Sequence, residues 1–138
     1  MDSSKKQVFK TGAYVYIEGD EDSDEVYIVQ QGEIGLHTNN EKIKRYRSVI
    51  RPGEVFGFTS SLCRRPRMES AIACRDTQVL AIMRERFIEM LRQNPDIAMK
   101  IITFFAEELR TYNDMVFAEE NNDRDLLSDE RKLFDLSR

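Results

Sequence analysis

Residues 9–40 read FKTGAYVYIEGDEDSDEVYIVQQGEIGLHTNN. Short runs of β-branched and aromatic residues are cut by glycine and by acidic clusters, which is strand patterning. They predict strands over Val8–Thr11, Ala13–Ile17, Val26–Gln30 and Glu33–Thr38. In the last of these, alternation puts Ile34 and Leu36 on one side. Asn39 and Asn40 mark a hairpin tip, from which Lys42–Ile50 returns as a charged strand at a solvent edge. Downstream, Ser70–Cys74 and Gln78–Met83 supply two more strands. Many short strands at this spacing imply a barrel, sandwich or roll. The acidic turn Asp20–Glu25 departs from the spacing of a calcium loop and reads as a solvated turn.

Between the two groups of strands lies FGFTSSLCRRPRMES, residues 56–70. Gly57 allows a close backbone approach, and Thr59, Ser60 and Ser61 are residue types that cap a helix start. A short helix there points free N–H groups outward, a seat for an anion. Pro66 stops it, and Arg67 stands at the mouth of the next strand. A glycine turn, a capped helix and a fixed guanidinium are three ways of holding one phosphate. Taken alone, Arg67 reads equally as a surface arginine and Gly57 as an ordinary turn.

From Arg84 the period becomes helical. Arg84–Gln93 predicts one helix burying Phe87, Ile88 and Leu91. Asn94 caps a second helix that opens on Pro95 and runs to about Ala118. Along it, Ala98, Ile102, Phe105, Leu109, Tyr112 and Val116 follow the spacing of a coiled-coil seam, with Ile97, Ile101 and Phe104 as a second stripe. One face covers the strands and the other calls for a partner; the alternative is a helix packed wholly on its own domain. Residues 119–138 turn acidic and read as a linker or the start of an output region that lies outside this stretch.

The chain has 138 residues, enough for one domain with a sizeable core. Its net charge of −4 argues against general nucleic-acid binding, so no DNA contact is expected from this chain itself. No run is apolar enough for a membrane span and the N-terminus lacks a signal-peptide core, which implies a cytoplasmic protein. Cys63 and Cys74 have no metal-ligand spacing and read as free thiols. His37 is the only histidine, so neither a histidine metal site nor a Ser/His/Asp set can be assembled, and no enzyme is expected.

The stretch 9–40, together with RPGEVFG at 51–57, resembles the cyclic nucleotide-binding domain family, the β-roll of the catabolite activator protein and of the regulatory subunits of cyclic-AMP-dependent kinase. The resemblance runs from about Phe9 to Asn113, with Gly12, Gly19, Gly32, Gly35, Gly53 and Gly57 where the family has glycines. It implies a mainly β fold with C-terminal helices: a jelly-roll-like β-roll (a double-stranded β-helix) over about 7–83, then a short helix and a long dimerisation helix over about 84–118. The ligand it implies is a cyclic nucleotide, cyclic AMP or cyclic GMP, with no other cofactor and no metal. Arg67, the amides around Thr59, Ser60 and Ser61, and the amide of Met68 would hold the cyclic phosphate, with Gly57, Phe58 and Ser70 completing the site. The base would lie against the roll interior under the long helix. Through that helix the resemblance implies a homodimer, with Ala98, Ile102, Phe105, Leu109, Tyr112 and Val116 at its interface.

Three departures stand out. The family places a glutamate after FG to grip the ribose hydroxyl, where this chain has Phe58. Loss of that charged acceptor costs about 1.5–3 kcal/mol, or about ten- to a hundredfold in affinity. The family places small residues after the arginine, where this chain has Met68 and Glu69, and Glu69 either repels a phosphate or occupies Arg67. The first strand is expected to begin almost at once, without the helix that ordinarily precedes the roll in the family. Two functions are therefore expected: a sensor that couples nucleotide occupancy to its C-terminal helix, or a degenerate domain that binds no nucleotide and serves as a dimerisation or interaction scaffold.

Overall fold

The computed structural model describes residues 4–39 and 48–119. They fall into two compact units, one within Met1–Met90 and one from Leu91 onward. The first holds eight strands: β1 (Ser4–Phe9), β2 (Tyr14–Tyr16), β3 (Glu25–Gln31), β4 (Ile34–His37), β5 (Ser48–Ile50), β6 (Val55–Phe56), β7 (Ser70–Ala73) and β8 (Thr77–Met83). Helix α1 (Phe58–Cys63) interrupts them, and α2 (Arg84–Gln93) and α3 (Pro95–Glu119) follow.

The strands form two four-stranded sheets, ordered β1-β8-β3-β6 and β2-β7-β4-β5, with every pairing antiparallel. One apolar cluster draws on both: Val29, Phe56, Val79 and Ala81 from the first sheet, Tyr16, Ile34, Ala71 and Ala73 from the second. Period-2 alternation explains the membership, since Tyr27 and Val29 of β3 face the interior, as do Val79 and Ala81 of β8. Tyr27 and Phe56 stack at 5.1 Å between centroids, and Tyr16 lies 6.0 Å and 6.2 Å from these two.

The turn from β3 to β4 depends on Gly32, whose φ is +94°. A Cβ there would land on Thr77 Oγ1 and within 2.6 Å of the Asp76 carbonyl oxygen, so only glycine fits. The Glu33 amide donates to the same Thr77 hydroxyl at 3.1 Å, tying the turn to the start of β8.

The expected strands are present with shifted ends. The first spans Ser4–Phe9 instead of Val8–Thr11, because Gly12 turns the chain and its amide bonds to Ala73 O at 2.7 Å. The expected Glu33–Thr38 strand is Ile34–His37, and β6 was not foreseen. The strand expected over Lys42–Ile50 is seen as Ser48–Ile50; the remainder, with Asn40, lies outside the described residues, as does 120–138. Arg84–Gln93 is helical as expected and buries Phe87, whereas Ile88 and Leu91 are half-buried. The long helix opens on Pro95, with the Ile97 and Ala98 amides bonded to the Asn94 carbonyl. No helix among the described residues is long and apolar enough to cross a membrane.

Arg84, the first residue of α2, is buried and works as a joint. Its Nε donates to Ser61 O of α1 at 2.6 Å and its Nη2 to Asp24 Oδ1 at 3.1 Å. Its own amide donates to Asp24 O at 2.8 Å. Arg84→Ala removes the side-chain bonds and is expected to cost about 2 kcal/mol, read as a lower urea midpoint at unchanged m-value.

Burial, followed by the nearby Glu25 carboxylate, pushes the Tyr27 hydroxyl from 10.0 up to about 12, against the opposing pull of Arg67. Between these values the unfolded chain has shed the proton while the folded chain keeps it, so stability falls as pH rises from 10.0 to about 12. Unfolding midpoints measured over that window are expected to fall less steeply in Tyr27→Phe than in the parent.

Candidate ligand site

α1 begins after Gly57, which sits in the left-handed region at φ +80° with ψ +2° and caps the helix without a side-chain hydrogen bond. The hydroxyls expected to cap are inside instead. Ser60 and Ser61 are buried, at 4% and 0% exposure. Ser60 Oγ accepts the Met68 amide at 3.2 Å, which ties α1 to the segment leading into β7. The helix ends before Pro66 because Arg64 adopts the left-handed conformation at φ +54°; the Arg65 amide then returns to Ser60 O at 3.0 Å.

Arg67 enters the interior because its backbone is held from outside. Its amide donates to Asp20 O at 2.8 Å and its carbonyl accepts the Gly19 amide at 2.7 Å. The side chain then turns inward and is 3% exposed. Nη1 donates to Gly57 O and Nη2 to Glu25 O, each at 2.8 Å. The guanidinium carbon lies 4.2 Å from the Tyr16 ring centroid and 5.8 Å from that of Tyr27. Nε is buried and has no hydrogen-bond partner among the described residues.

A desolvated cation held by carbonyl dipoles and ring faces alone is under-compensated, since burying a charge is costly without an opposite charge beside it. The arrangement offers an anion one unused N–H and a positive field in a low-dielectric setting. Tyr16 is 5% exposed, and its hydroxyl donates to Glu69 Oε1 at 3.3 Å. Burial above all, then the Glu69 carboxylate, raises its pKa far above the ordinary tyrosine value, with Arg67 opposing. The hydroxyl therefore stays protonated throughout the physiological range.

The residues expected at the site are all described. Gly57, Ser60, Arg67 and the Met68 amide come together around the start of α1. Thr59 is half-buried on the same helix, and Ser61 Oγ is buried without a hydrogen-bond partner among the described residues. Phe58 is 6% exposed, so an apolar ring has gone inside at the position the sequence comparison assigned to a charged acceptor. The Met68 side chain points outward at 52% exposure, and its amide is already engaged by Ser60. The Ser70 hydroxyl is taken by the Glu18 amide at 2.8 Å and serves the β2–β7 side of the roll. Tyr16, Tyr27 and the Glu25 carbonyl were missed as neighbours of Arg67; the only sequence signal for the rings was their inward parity in YVY and EVY. Among the described residues no group of His, Cys, Asp and Glu could hold a metal ion. Cys63 and Cys74 are exposed, free thiols.

A family model described as the cyclic nucleotide-binding domain matches residues 6–94. The Cyclic AMP receptor protein of Thermus thermophilus is 30% identical over 107 residues, which cover 77% of this chain and 49% of that protein. The chain thus spans about half the length of this curated relative. Among solved structures, the Catabolite Activator Protein of Thermus thermophilus superposes with a TM-score of 0.68 at 26% identity, over 83% of this chain and 54% of that one. A transcriptional regulator from Thermotoga maritima gives 0.70 at 18% identity, over 86% and 93%, a likeness of fold alone. The chain belongs to the cyclic nucleotide-binding domain family.

Proposed function

We propose that this member of the cyclic nucleotide-binding domain family is a regulatory module that takes a cyclic nucleotide at Arg67 and passes its occupancy on through α3. The observation that carries the reading is the 3%-exposed guanidinium whose hydrogen bonds end on carbonyls and whose Nε is unused. A phosphodiester supplies the negative charge that this cation lacks. The name of the Thermus relative favours cyclic AMP as the first ligand to try. Gly57, Thr59, Ser60 and Ser61 would shape the phosphate end, with Phe58, Met68 and Ser70 bordering it.

A second reading has its own support. Phe58 brings no acceptor for a sugar hydroxyl, and the chain itself supplies carbonyls and rings to Arg67. In that case the roll is a scaffold that binds no nucleotide. Titration calorimetry separates the two. Heat at submillimolar cyclic AMP or cyclic GMP, absent in Arg67→Glu and at least tenfold weaker in Arg67→Lys, is expected for the sensor, because only the planar fork keeps both carbonyl bonds while presenting Nε. No heat from the parent chain would remove the sensor reading.

For the output we propose a homodimer through α3. Ile102 and Tyr112 are 57% and 58% exposed, Phe105 and Leu109 are each 38% exposed, and Ala98 and Val116 are half-buried. These residues keep the seam spacing over the helix Pro95–Glu119. Ile101, from the other stripe, is buried. Sedimentation equilibrium at tens of micromolar is expected to give twice the chain mass for the parent and a monomer for Leu109→Glu; equal masses would refute the dimer.

A further inference from the structure

If Arg67 is the group a ligand must reach, as proposed above, something else already stands there. The Tyr16 ring covers its guanidinium at 4.2 Å. The space beside Gly57 is narrow as well. A Cβ at that position would come within 3.1 Å of Arg67 Nη1, 3.2 Å of Tyr27 Cδ2 and 3.5 Å of Tyr16 Cε2. With the guanidinium only 3% exposed, a phosphate reaches it only if one of the groups around it moves.

The three other parties are anchored. Arg67 is held through its backbone by Gly19 and Asp20. Gly57 is fixed by the left-handed turn that starts α1, and its carbonyl is bound to Arg67. Tyr27 sits on β3, paired on both sides by β6 and β8. Tyr16 is different: it ends β2, an edge strand of three residues whose pairing with β7 shifts register between Tyr14 and Tyr16. Its hydroxyl is tethered to Glu69 Oε1 at 3.3 Å, long for an O–H···O bond.

We infer that Tyr16 is a plug on the anion site: its ring lies over Arg67, Glu69 holds it there by the hydroxyl, and a ligand reaches the guanidinium only by driving the ring aside. Affinity is then reduced by the population of the closed arrangement. Glu69 acts as a positioning residue, through Tyr16. Loosening the tether shifts the balance toward the open state without altering a single group that would contact the anion.

The test reads the plug with and without ligand. In protein labelled at arginine nitrogen, the Arg67 Nε–H signal, identified by its loss in Arg67→Lys, is expected upfield-shifted by the ring and slow to exchange. Tyr16→Phe and Glu69→Ala should keep the shift and speed exchange by about threefold or more, while Tyr16→Leu should lose the shift. An unshifted signal in the parent, or unchanged exchange in both tether variants, overturns the plug. In calorimetry with cyclic AMP, both tether variants should bind about threefold to tenfold tighter than the parent, and the double variant no tighter than either. A gain in Glu69→Ala without one in Tyr16→Phe means the carboxylate acts by charge alone, and the tether is wrong. If no chain binds a nucleotide while the exchange rates respond as stated, the plug stands and the nucleotide reading falls.

Discussion

A guanidinium withdrawn from water, hydrogen-bonded among the described residues to carbonyls and to no carboxylate, is the constraint to which this roll answers. Desolvating a charge costs several kcal/mol after relaxation. Two carbonyls at 2.8 Å and a ring face at 4.2 Å offset part of that cost. Each of these comes from a different element. Gly57 opens α1, Glu25 begins β3 and Tyr16 ends β2, so Arg67 joins three parts of the roll. Tyr16 and Tyr27 lie beside this charge without ionising, because burial keeps both hydroxyls neutral more strongly than the cation draws their protons away.

The strands were legible because their interior faces alternate and their turns carry glycine. Ile34 and Leu36 pointing inward, and the switch to helical period at Arg84, follow from residue spacing alone. Strand ends were less legible. They depend on which amide finds which carbonyl across the sheet, as when Gly12 bonds to Ala73 and ends β1 early. β6 was missed because two residues carry no periodicity; what makes Val55–Phe56 a strand is its pairing with Tyr27 and Ile28.

At the site, Arg67 and Gly57 were readable from residue type, while the roles of the hydroxyls were not. Serine before a short helix suggests a cap, yet Ser60 lies in the interior, bonded to the Met68 amide, because Gly57 already turns the chain into α1. Family resemblance pointed to the loss of an acceptor at Phe58, and burial of that ring is its structural counterpart. Glu69 was expected to act on the phosphate or on Arg67. Its bond to Tyr16, from a residue 53 positions earlier in the chain, is set by the β2–β7 pairing and leaves no local trace.

The joint made by Arg84 fixes a chain length as well as an orientation. Successive residues on a helix are rotated by about 100°, so one residue inserted between Met83 and the start of α2 would swing the guanidinium away from both Ser61 and Asp24. A deletion would do the same in the opposite sense. The junction where β8 runs directly into α2 is therefore intolerant of indels, although the neighbouring exposed positions Glu85 and Arg86 are open to substitution.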